Sequence, residues 1–464
     1  MTGMAVAVID VGKTHAKVLA IGRGGAVLGA VTTRSRARAG ALDAAATERF
    51  VVRGLRTLAA SFRVSAIVPT THGAAAALVD AAGLVHPVVD YEAQPAPEVD
   101  AAYDARRPPF AETFSPRLPA GLNLGRQLYA LRATMPAAWR RAQAILTYPQ
   151  YWSWRLCGVR AAEVTSLGCH TDLWQPRGGR PSSLVAGERW TPLLPPLRPA
   201  WERLGAPHAG LGLPAGIAVC NGIHDSNAAY LRYLAGVPAP FALLSTGTWM
   251  IAFNSGGDLA GLDARRDTLA NVDVFGRPIA CSRFMGGREY ARIAGRAGLA
   301  HAPTLAQVRR AMARGLFALP SFSASGGPWA GTPGQRSSRP DTPAEAAALA
   351  TLYIALMSRD ALRLTGPLPR LYVDGAFATH DAFVQVLAAL LPGTQVFAAQ
   401  GTDGTAIGAS LLAAMADRGG ELPAVRVAAR RVHPPAFDFA AYAGEWSARV
   451  AARAADRSTT KVSA

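Results

Sequence analysis

The sequence predicts an α/β protein with two domains, and three observations support this prediction. The chain has 464 residues, which is more than one compact core usually holds. Short apolar runs typical of buried strands alternate with segments whose apolar residues have helical spacing. A hairpin with a glycine-containing turn occurs near residue 10 and again near residue 245, which suggests two related halves. We place the domains at residues 1–235 and 236–430, with a C-terminal helix or tail over 431–464.

Composition narrows the classes of protein. Hydrophobic content of 50% with 17% charged residues argues against disorder. The net charge of +17 comes almost entirely from scattered arginines, so we expect no nucleic-acid partner, although this charge favours anionic substrates such as nucleotides. The four cysteines are widely spaced and predict neither a disulfide framework nor a zinc site. No apolar stretch reaches the roughly 18–20 residues of a membrane span, and no signal peptide is evident, which favours the cytoplasm.

The first element is a hairpin over residues 4–31, with strands AVAVID and KVLAIG joined by the turn VGKTHA. The turn is small and polar where the two strands meet. Gly12 permits close backbone approach, Thr14 offers a hydroxyl, Lys13 and Lys17 offer cations, and Asp10 could hold a Mg²⁺-bound water. Two of the three lysines in the chain lie here. A phosphate site is one interpretation; the alternative is that this Asp-x-Gly-x-Thr pattern occurs by chance.

A helix over residues 43–61 and a strand over 64–69 follow. The strand ends in Thr-Thr-His-Gly, and a polar cluster at the end of a buried strand is where α/β folds place ligands. His72 is therefore a candidate ligand-binding residue, and a hydrogen-bonded loop histidine is the alternative. Pro-rich residues 86–120 are predicted to form a loop, and helical character returns over 126–133 and 137–144.

The most informative stretch runs from Gly216 to Asn254. It predicts a strand, a turn that carries His224 and Asp225, and a helix over 226–234. An isolated Asp between a strand and a helix is well placed to act as a base or a metal ligand, whereas a helix N-cap is the alternative. A second strand follows and ends in the turn Thr246-Gly247-Thr248, whose N–H and hydroxyl groups suit phosphate oxygens.

The remaining elements are a long apolar helix over 344–364, the strand RLYVDGAFA, a helix over 380–391 and the strand TQVFAA. A Gly-rich segment, GTDGTAIGASLLAAM, then begins a helix of small residues. Such a helix packs tightly and leaves room for a flat ring.

Several segments in order carry a family resemblance: AVIDVGKTHAKV, TTHGAAAALVDAAG, YPQYWSWRLCG with EVTSLGCHTDLW, NGIHDSNAAY, STGTWMI, and VDGAFATHDAFVQVLAALL with GTDGTAIGASLLA. They resemble the FGGY carbohydrate kinases, of the actin-like and hexokinase-like ATPase superfamily, over residues 4–415. The register of TTHGAAAALVD and the Trp in STGTWMI resemble the fuculokinase and rhamnulokinase branch. The resemblance implies two actin-like (RNase H-like) ATPase domains with a deep cleft between them.

It also implies ATP-dependent phosphorylation of a sugar with Mg²⁺, and a 6-deoxyketose such as L-fuculose or L-rhamnulose is favoured. By this resemblance Asp225 is the general base, and Asp10 and Asp225 hold the metal. The residues around the nucleotide are Asp10, Gly12, Lys13, Thr14, Lys17, Thr246, Gly247, Thr248, Gly375, Ala376 and Gly404. Those that line the sugar pocket are His72, Gly73 and His224.

The sequence departs from the family pattern in the adenosine motif. Gly375-Ala376-Phe377 replaces the usual glycine pair or triplet, and His380 stands where Asn is expected. Nucleotide preference therefore stays open. A kinase for a pentulose or polyol, and a non-catalytic sugar- or nucleotide-binding regulator, are the alternatives. The oligomeric state is open too, with a homodimer as one option.

Overall fold

A computed structural model describes residues 4–323, 326–401 and 403–462, with side chains up to residue 455. These residues divide into two compact units. Unit 1 runs to Val237 and also takes in residues 270–278 and 403–427, and unit 2 takes in the rest of the chain.

Unit 1 is built on a mixed β-sheet with helices on both faces. The strand order is Arg203–Gly205, Ala218–Cys220, Arg63–Thr71, Met4–Val11, His15–Gly22 and Val27–Arg34, and Ile223–His224 also pairs with Arg63–Thr71. Its α-helices are Ala44–Ser61, Pro97–Asp104, Phe110–Thr113, Leu124–Thr134, Pro136–Arg141, Tyr148–Cys157, Val164–Leu167, Ser183–Gly187, Asp225–Gly236 and Gly404–Asp417. Three two-stranded ladders complete it: Ala37–Arg38 with Ala41–Leu42, Ala76–Val79 with Ala144–Thr147, and Trp174–Gln175 with Arg180–Pro181.

The central strand Met4–Val11 is covered on both faces. Ala5, Ala7, Ile9 and Val11 belong to the core that includes helix Ala44–Ser61. Val8 points the other way, into a core that includes helix Gly404–Asp417. Because side chains alternate along a strand, a strand buried on both faces has the continuous apolar character of AVAVI.

The grouping of helix Gly404–Asp417 departs from the domain limits predicted from sequence. We placed residues 236–430 in one domain, but this helix groups with unit 1. Its neighbour is helix Asp225–Gly236, and a Cβ added at Gly408 would lie 1.8 Å from the Ala228 carbonyl oxygen. The small residues of this segment thus permit very close contact between two helices of unit 1.

The second seven-stranded sheet has the order Thr268–Val272, Pro278–Phe284, Met250–Asn254, Ala242–Thr246, Arg370–Gly375, Gln395–Ala399 and Ala429–Val432. Its residues belong to unit 2, except for residues 270–272 and 278, which group with unit 1. The α-helices of unit 2 are Gly286–Gly298, Leu305–Ala313, Pro343–Arg363, Asp381–Leu390 and Ala440–Val462. Helix Pro343–Arg363 is buried on nearly all sides, as an apolar helix at the centre of a core should be. The C-terminal helix or tail predicted over 431–464 contains helix Ala440–Val462, and it groups with unit 2 instead of standing apart from both domains.

The prediction of a loop over residues 86–120 is wrong in part. This segment contains helices Pro97–Asp104 and Phe110–Thr113. Pro97 occupies the first helical position, where its missing N–H has no intrahelical partner to lose, so it starts the helix instead of breaking it. Within the described residues, no helix is both long and apolar enough to cross a membrane.

We predict that Gly408→Ala destabilises unit 1. The added methyl must displace backbone of helix Asp225–Gly236, which outweighs the gain in helix propensity, so the free energy of unfolding should fall by about 1–3 kcal/mol. Urea unfolding checks this. Gly187→Ala is the matched control, because its Cβ would meet no atom within 4 Å. Equal stabilities of the two variants would contradict the prediction.

Candidate active site

In unit 1, the carboxyl ends of three parallel strands bring the candidate residues together. Asp10 lies opposite Thr70 in the register of strands Met4–Val11 and Arg63–Thr71. Thr71 in turn lies opposite His224, at the end of the short strand Ile223–His224. Parallel strands place ligand-binding residues at this edge. Asp10 stands one residue before the end of its strand, and His72 and Asp225 stand just past the ends of theirs.

The turn after the first strand is tied back to the sheet. The Gly12 N–H donates to the His15 carbonyl oxygen at 2.9 Å, and the Ser35 hydroxyl donates to the Gly12 carbonyl oxygen at 2.7 Å. Thr14 is exposed at the tip of the turn. The predicted phosphate turn is thus a rigid bend with one hydroxyl side chain facing outward.

The two lysines of this hairpin have carboxylate partners that sequence analysis did not identify. Lys17 Nζ lies 3.1 Å from Asp403 Oδ1, next to the predicted nucleotide residue Gly404. Lys13 forms an ion pair with Asp90, and its Nζ lies 3.4 Å from Glu92 Oε2.

The surroundings of Asp10 disfavour its charged form. Burial and the Asp225 carboxylate raise the pKa of Asp10 to about 7, with a further contribution from Asp403 and an opposing one from Lys17. Near neutral pH such a carboxyl group is present in both its neutral and its charged form. A bound cation would favour the charged form, so this environment suits a cation-binding site.

His72 and Gly73 line the same edge of the sheet. The His72 backbone N–H donates to the Val11 carbonyl oxygen at 3.0 Å, and the imidazole Nδ1 lies 2.8 Å from the Gly73 carbonyl oxygen. Burial lowers the pKa of His72, so the ring is neutral at neutral pH. A Cβ added at Gly73 would lie 2.7 Å from Nε2 of His224, so glycine lets these two segments meet.

His224 and Asp225 are held side by side. His224 Nε2 lies 3.3 Å from Asp225 Oδ1, and the Ser226 N–H donates to the same oxygen at 2.6 Å. Asp225 is the first residue of helix Asp225–Gly236, and the N-cap position belongs to His224. The Asp225 side chain is 28% exposed, so its carboxylate is accessible.

Asn227 fixes His224, and sequence analysis missed it. The Asn227 Nδ2 donates to the Val272 carbonyl oxygen and to Asn271 Oδ1, so its Oδ1 accepts the Nδ1–H of His224 at 2.7 Å. Burial alone would lower the pKa of His224, but Cys169 and Asp225 raise it, so the ring carries a proton on both nitrogens. The resulting imidazolium faces the Asp225 carboxylate.

The buried carboxylate of Glu163 helps to position His224 and Asp225 through Thr165. Glu163 accepts four hydrogen bonds, from the backbone N–H and the hydroxyl of both Thr165 and Ser166. The Thr165 hydroxyl then accepts the His224 backbone N–H at 3.2 Å. Glu163 occupies the N-cap position of helix Val164–Leu167, so its hydrogen bonds are local, whereas the contact of Thr165 with His224 joins residues 59 positions apart and has no signal in the sequence.

The predicted turns of unit 2 are locked to each other. The Thr246 hydroxyl donates to the Asp374 carbonyl oxygen at 2.6 Å and accepts the Phe377 N–H at 3.0 Å. Gly375 has φ +89°, and an added Cβ would lie 2.1 Å from the Thr246 carbonyl oxygen, so only glycine fits there. Thr248 and Ala376 are exposed. Gly247, Thr248, Gly375 and Ala376 therefore lie in one pair of linked turns, whereas Gly404 lies in unit 1.

Phe377 and His380, the departures in the adenosine motif, lie in an aromatic cluster of unit 2. The Phe377 ring centroid is 5.3 Å from that of Tyr290, 5.6 Å from that of Phe383 and 6.0 Å from that of His380. Both ring nitrogens of His380 are buried without a hydrogen-bond partner in the described part of the chain.

Comparison with known proteins identifies the family to which this chain belongs. Residues 238–421 match the model of the C-terminal domain of the FGGY carbohydrate kinases. The crystal structure of a carbohydrate kinase from Novosphingobium aromaticivorans is 35% identical, with a TM-score of 0.85 over 96% of this chain and 100% of that chain. The chain belongs to the FGGY carbohydrate kinase family.

Two further relatives bear on this FGGY chain. L-fuculokinase from Escherichia coli K12 is 27% identical over 267 residues, and the match covers 53% of this chain and only 55% of the length of that protein. A xylulose kinase from Lactobacillus acidophilus, 15% identical, superposes with a TM-score of 0.80 over 98% of both chains. That second likeness concerns the fold alone. The predicted family and the two-domain actin-like α/β fold are confirmed.

The residues of this FGGY chain fit a magnesium ion. Among the described residues no group of three or more His, Cys, Asp and Glu side chains is arranged as a closed metal site. Mg²⁺ in phosphoryl-transfer enzymes, however, is bound by one or two carboxylates, with substrate phosphates and water as the other ligands. Burial and the neighbouring Asp225 carboxylate raise the pKa of Asp10, and a cation bound there would stabilise its charged form.

We predict that His72 makes the FGGY chain less stable in acid. Because burial lowers the pKa of His72 in the folded state, the unfolded state takes up a proton at a higher pH than the folded state does, which favours unfolding as the pH falls below about 6.5. His72→Gln should therefore lose less stability than the wild type between pH 8 and pH 5, by up to about 2 kcal/mol. Urea unfolding at both pH values measures this. Identical losses for the two proteins would contradict it.

Proposed function

We propose that this protein transfers the γ-phosphoryl group of ATP to a primary hydroxyl of a ketose, with a 6-deoxyketose such as L-fuculose or L-rhamnulose as the favoured substrate. The observation that carries the proposal is the Asp225 carboxylate. It is accessible, it stands at the carboxyl edge of a parallel sheet, and a charged His224 and the Ser226 N–H orient it. The partial match to L-fuculokinase supports the choice of sugar.

In this proposal the hydroxyl oxygen of the sugar bonds to the γ-phosphorus while Asp225 accepts the hydroxyl proton. The bond between the γ-phosphorus and the oxygen that bridges it to the β-phosphate breaks, and ADP leaves. Such a transfer has a loose transition state, so catalysis depends on positioning and charge neutralisation. His224 orients the base, and it lines the sugar pocket with neutral His72 and with Gly73. The Nε2 of His72 is an acceptor for a sugar hydroxyl when Nδ1 donates to Gly73.

We propose nucleotide-binding residues for each unit by itself, as the family resemblance implies. In unit 1 the set comprises Asp10, Gly12, Thr14, Lys17 and Gly404. In unit 2 it comprises the linked turns that contain Thr246, Gly247, Thr248, Gly375 and Ala376. Asp10 and Asp225 would hold Mg²⁺, which neutralises phosphate charge when bound. The family resemblance also places Lys13 in this set, but its ammonium group forms an ion pair with Asp90.

Phe377 and His380 favour a second candidate function, a non-catalytic sugar- or nucleotide-binding regulator. A large ring replaces glycine in the adenosine motif, which changes the space for adenine. The accessible Asp225 favours the kinase, because a protein that only binds sugar has no need of a base at this position.

We predict that Asp225→Asn lowers kcat by about 10²–10⁴-fold, because the amide cannot accept the hydroxyl proton. The assay is coupled ADP release with saturating sugar and MgATP, and thermal melting confirms folding. Asp43→Asn is the matched control: Asp43 caps helix Ala44–Ser61, and Asn caps equally well. If Asp225→Asn kept kcat within twofold of the control, Asp225 would not be the base.

We also predict that ADP release rises at least about tenfold when the right sugar is added, because a bound sugar replaces water as the acceptor. The screen uses ketoses, pentuloses and polyols with MgATP, and repeats them with MgGTP because of Phe377. A response to pentuloses or polyols alone would correct the sugar class. A rate indifferent to every sugar and both nucleotides would favour the regulator.

A further inference from the structure

Lys13 lies in the turn predicted to hold phosphate, but its ammonium group contacts a different segment of unit 1. It forms an ion pair with Asp90, lies 3.4 Å from Glu92 Oε2, and stands 4.6 Å from the centre of the Tyr91 ring. Two carboxylates and an aromatic face thus surround one cation. An ammonium has three N–H donors, and this environment engages it from several sides.

The segment that receives Lys13, residues 90–92, is itself firmly held. The Asp90 side chain is only 7% exposed, and its Oδ1 also accepts the Glu92 N–H at 3.0 Å. The Asp90 N–H donates to the Gly40 carbonyl oxygen at 2.9 Å, and the Gly121 N–H donates to the Tyr91 carbonyl oxygen at 2.8 Å. A buried carboxylate needs a cation, and Lys13 supplies it.

The same segment contacts the predicted sugar pocket. The Tyr91 ring packs edge-on against His72 with centroids 5.7 Å apart, and Tyr148 packs against His72 at 5.4 Å. Because Tyr91 packs against the His72 ring, a shift of segment 90–92 would also shift His72, which belongs to the predicted sugar pocket.

We propose that Lys13 is a positioning residue for sugar binding: it ties segment 90–92 to the first turn and thereby holds Tyr91 against His72. This inference rests on the proposed kinase function, and it changes the role that family resemblance gave to Lys13. Lys17 provides the contrast, since its partner Asp403 adjoins the nucleotide residue Gly404.

The test compares Lys13→Met, which keeps the length of the side chain and removes its charge, with Lys17→Met. For Lys13→Met we expect KM for the sugar to rise about tenfold or more, while KM for MgATP stays within about twofold. Lys13→Arg should restore sugar KM to within about threefold of wild type, because a guanidinium also pairs with Asp90. Lys17→Met should instead raise KM for MgATP.

A double-mutant cycle with Asp90→Asn tests the link itself. If Lys13 acts through Asp90, the double variant should bind sugar no worse than Lys13→Met alone, whereas independent roles give additive losses. A raised KM for MgATP with unchanged sugar KM in Lys13→Met would overturn the proposal, as would additive losses.

Tyr91→Leu tests the contact between segment 90–92 and His72 and leaves no buried charge unpaired. It therefore provides a test even if Lys13→Met does not fold. We expect a raised sugar KM with unchanged KM for MgATP, and an unchanged sugar KM would overturn the proposal. Failure of the kinase function would look different: wild-type protein would release no ADP in response to any sugar.

Discussion

The register of three parallel strands in unit 1 is the constraint on which the site depends. Asp10 opposite Thr70, and Thr71 opposite His224, place a carboxylate, the His72 segment and the Asp225 turn at one edge of a sheet. A shift of one residue in either ladder would turn these side chains to the other face. The apolar residues of strand Met4–Val11, buried on both faces, hold that register, so the packing of the core and the geometry of the site have one cause.

Charge balance at this edge follows from the same arrangement. Lys13 and Lys17 each have a carboxylate partner, and His224 faces Asp225. The net charge of +17 on the whole chain is thus no guide to the site, where burial together with the Asp225 carboxylate raises the pKa of Asp10. The arginines that dominate the total lie elsewhere in the sequence, while the local field is set by a few pairs at short range.

Local pattern was enough to predict much of the fold. Apolar runs and turn residues gave the hairpin near residue 10, the strand before His72 and the helix after His224 close to their observed limits. Patterns failed where the deciding contact is distant in sequence. Asp90 is 77 positions from Lys13 and Asp403 is 386 positions from Lys17, and no spacing rule connects them. Helix Pro97–Asp104 was missed because proline suits a first turn as well as a loop.

The discontinuity of unit 1 has a consequence for how this protein is made. One face of its central sheet is covered by helix Gly404–Asp417, which a ribosome produces only after more than a hundred further residues have followed Val237. At about 5–20 residues per second the nascent first segment waits on the order of ten to thirty seconds for this helix. During that time the core that contains Val8 lacks the side chains of helix Gly404–Asp417, although Ala228 and Leu231 of the first segment already belong to it. Chaperones that shield apolar surface therefore have a defined interval in which to act on this chain.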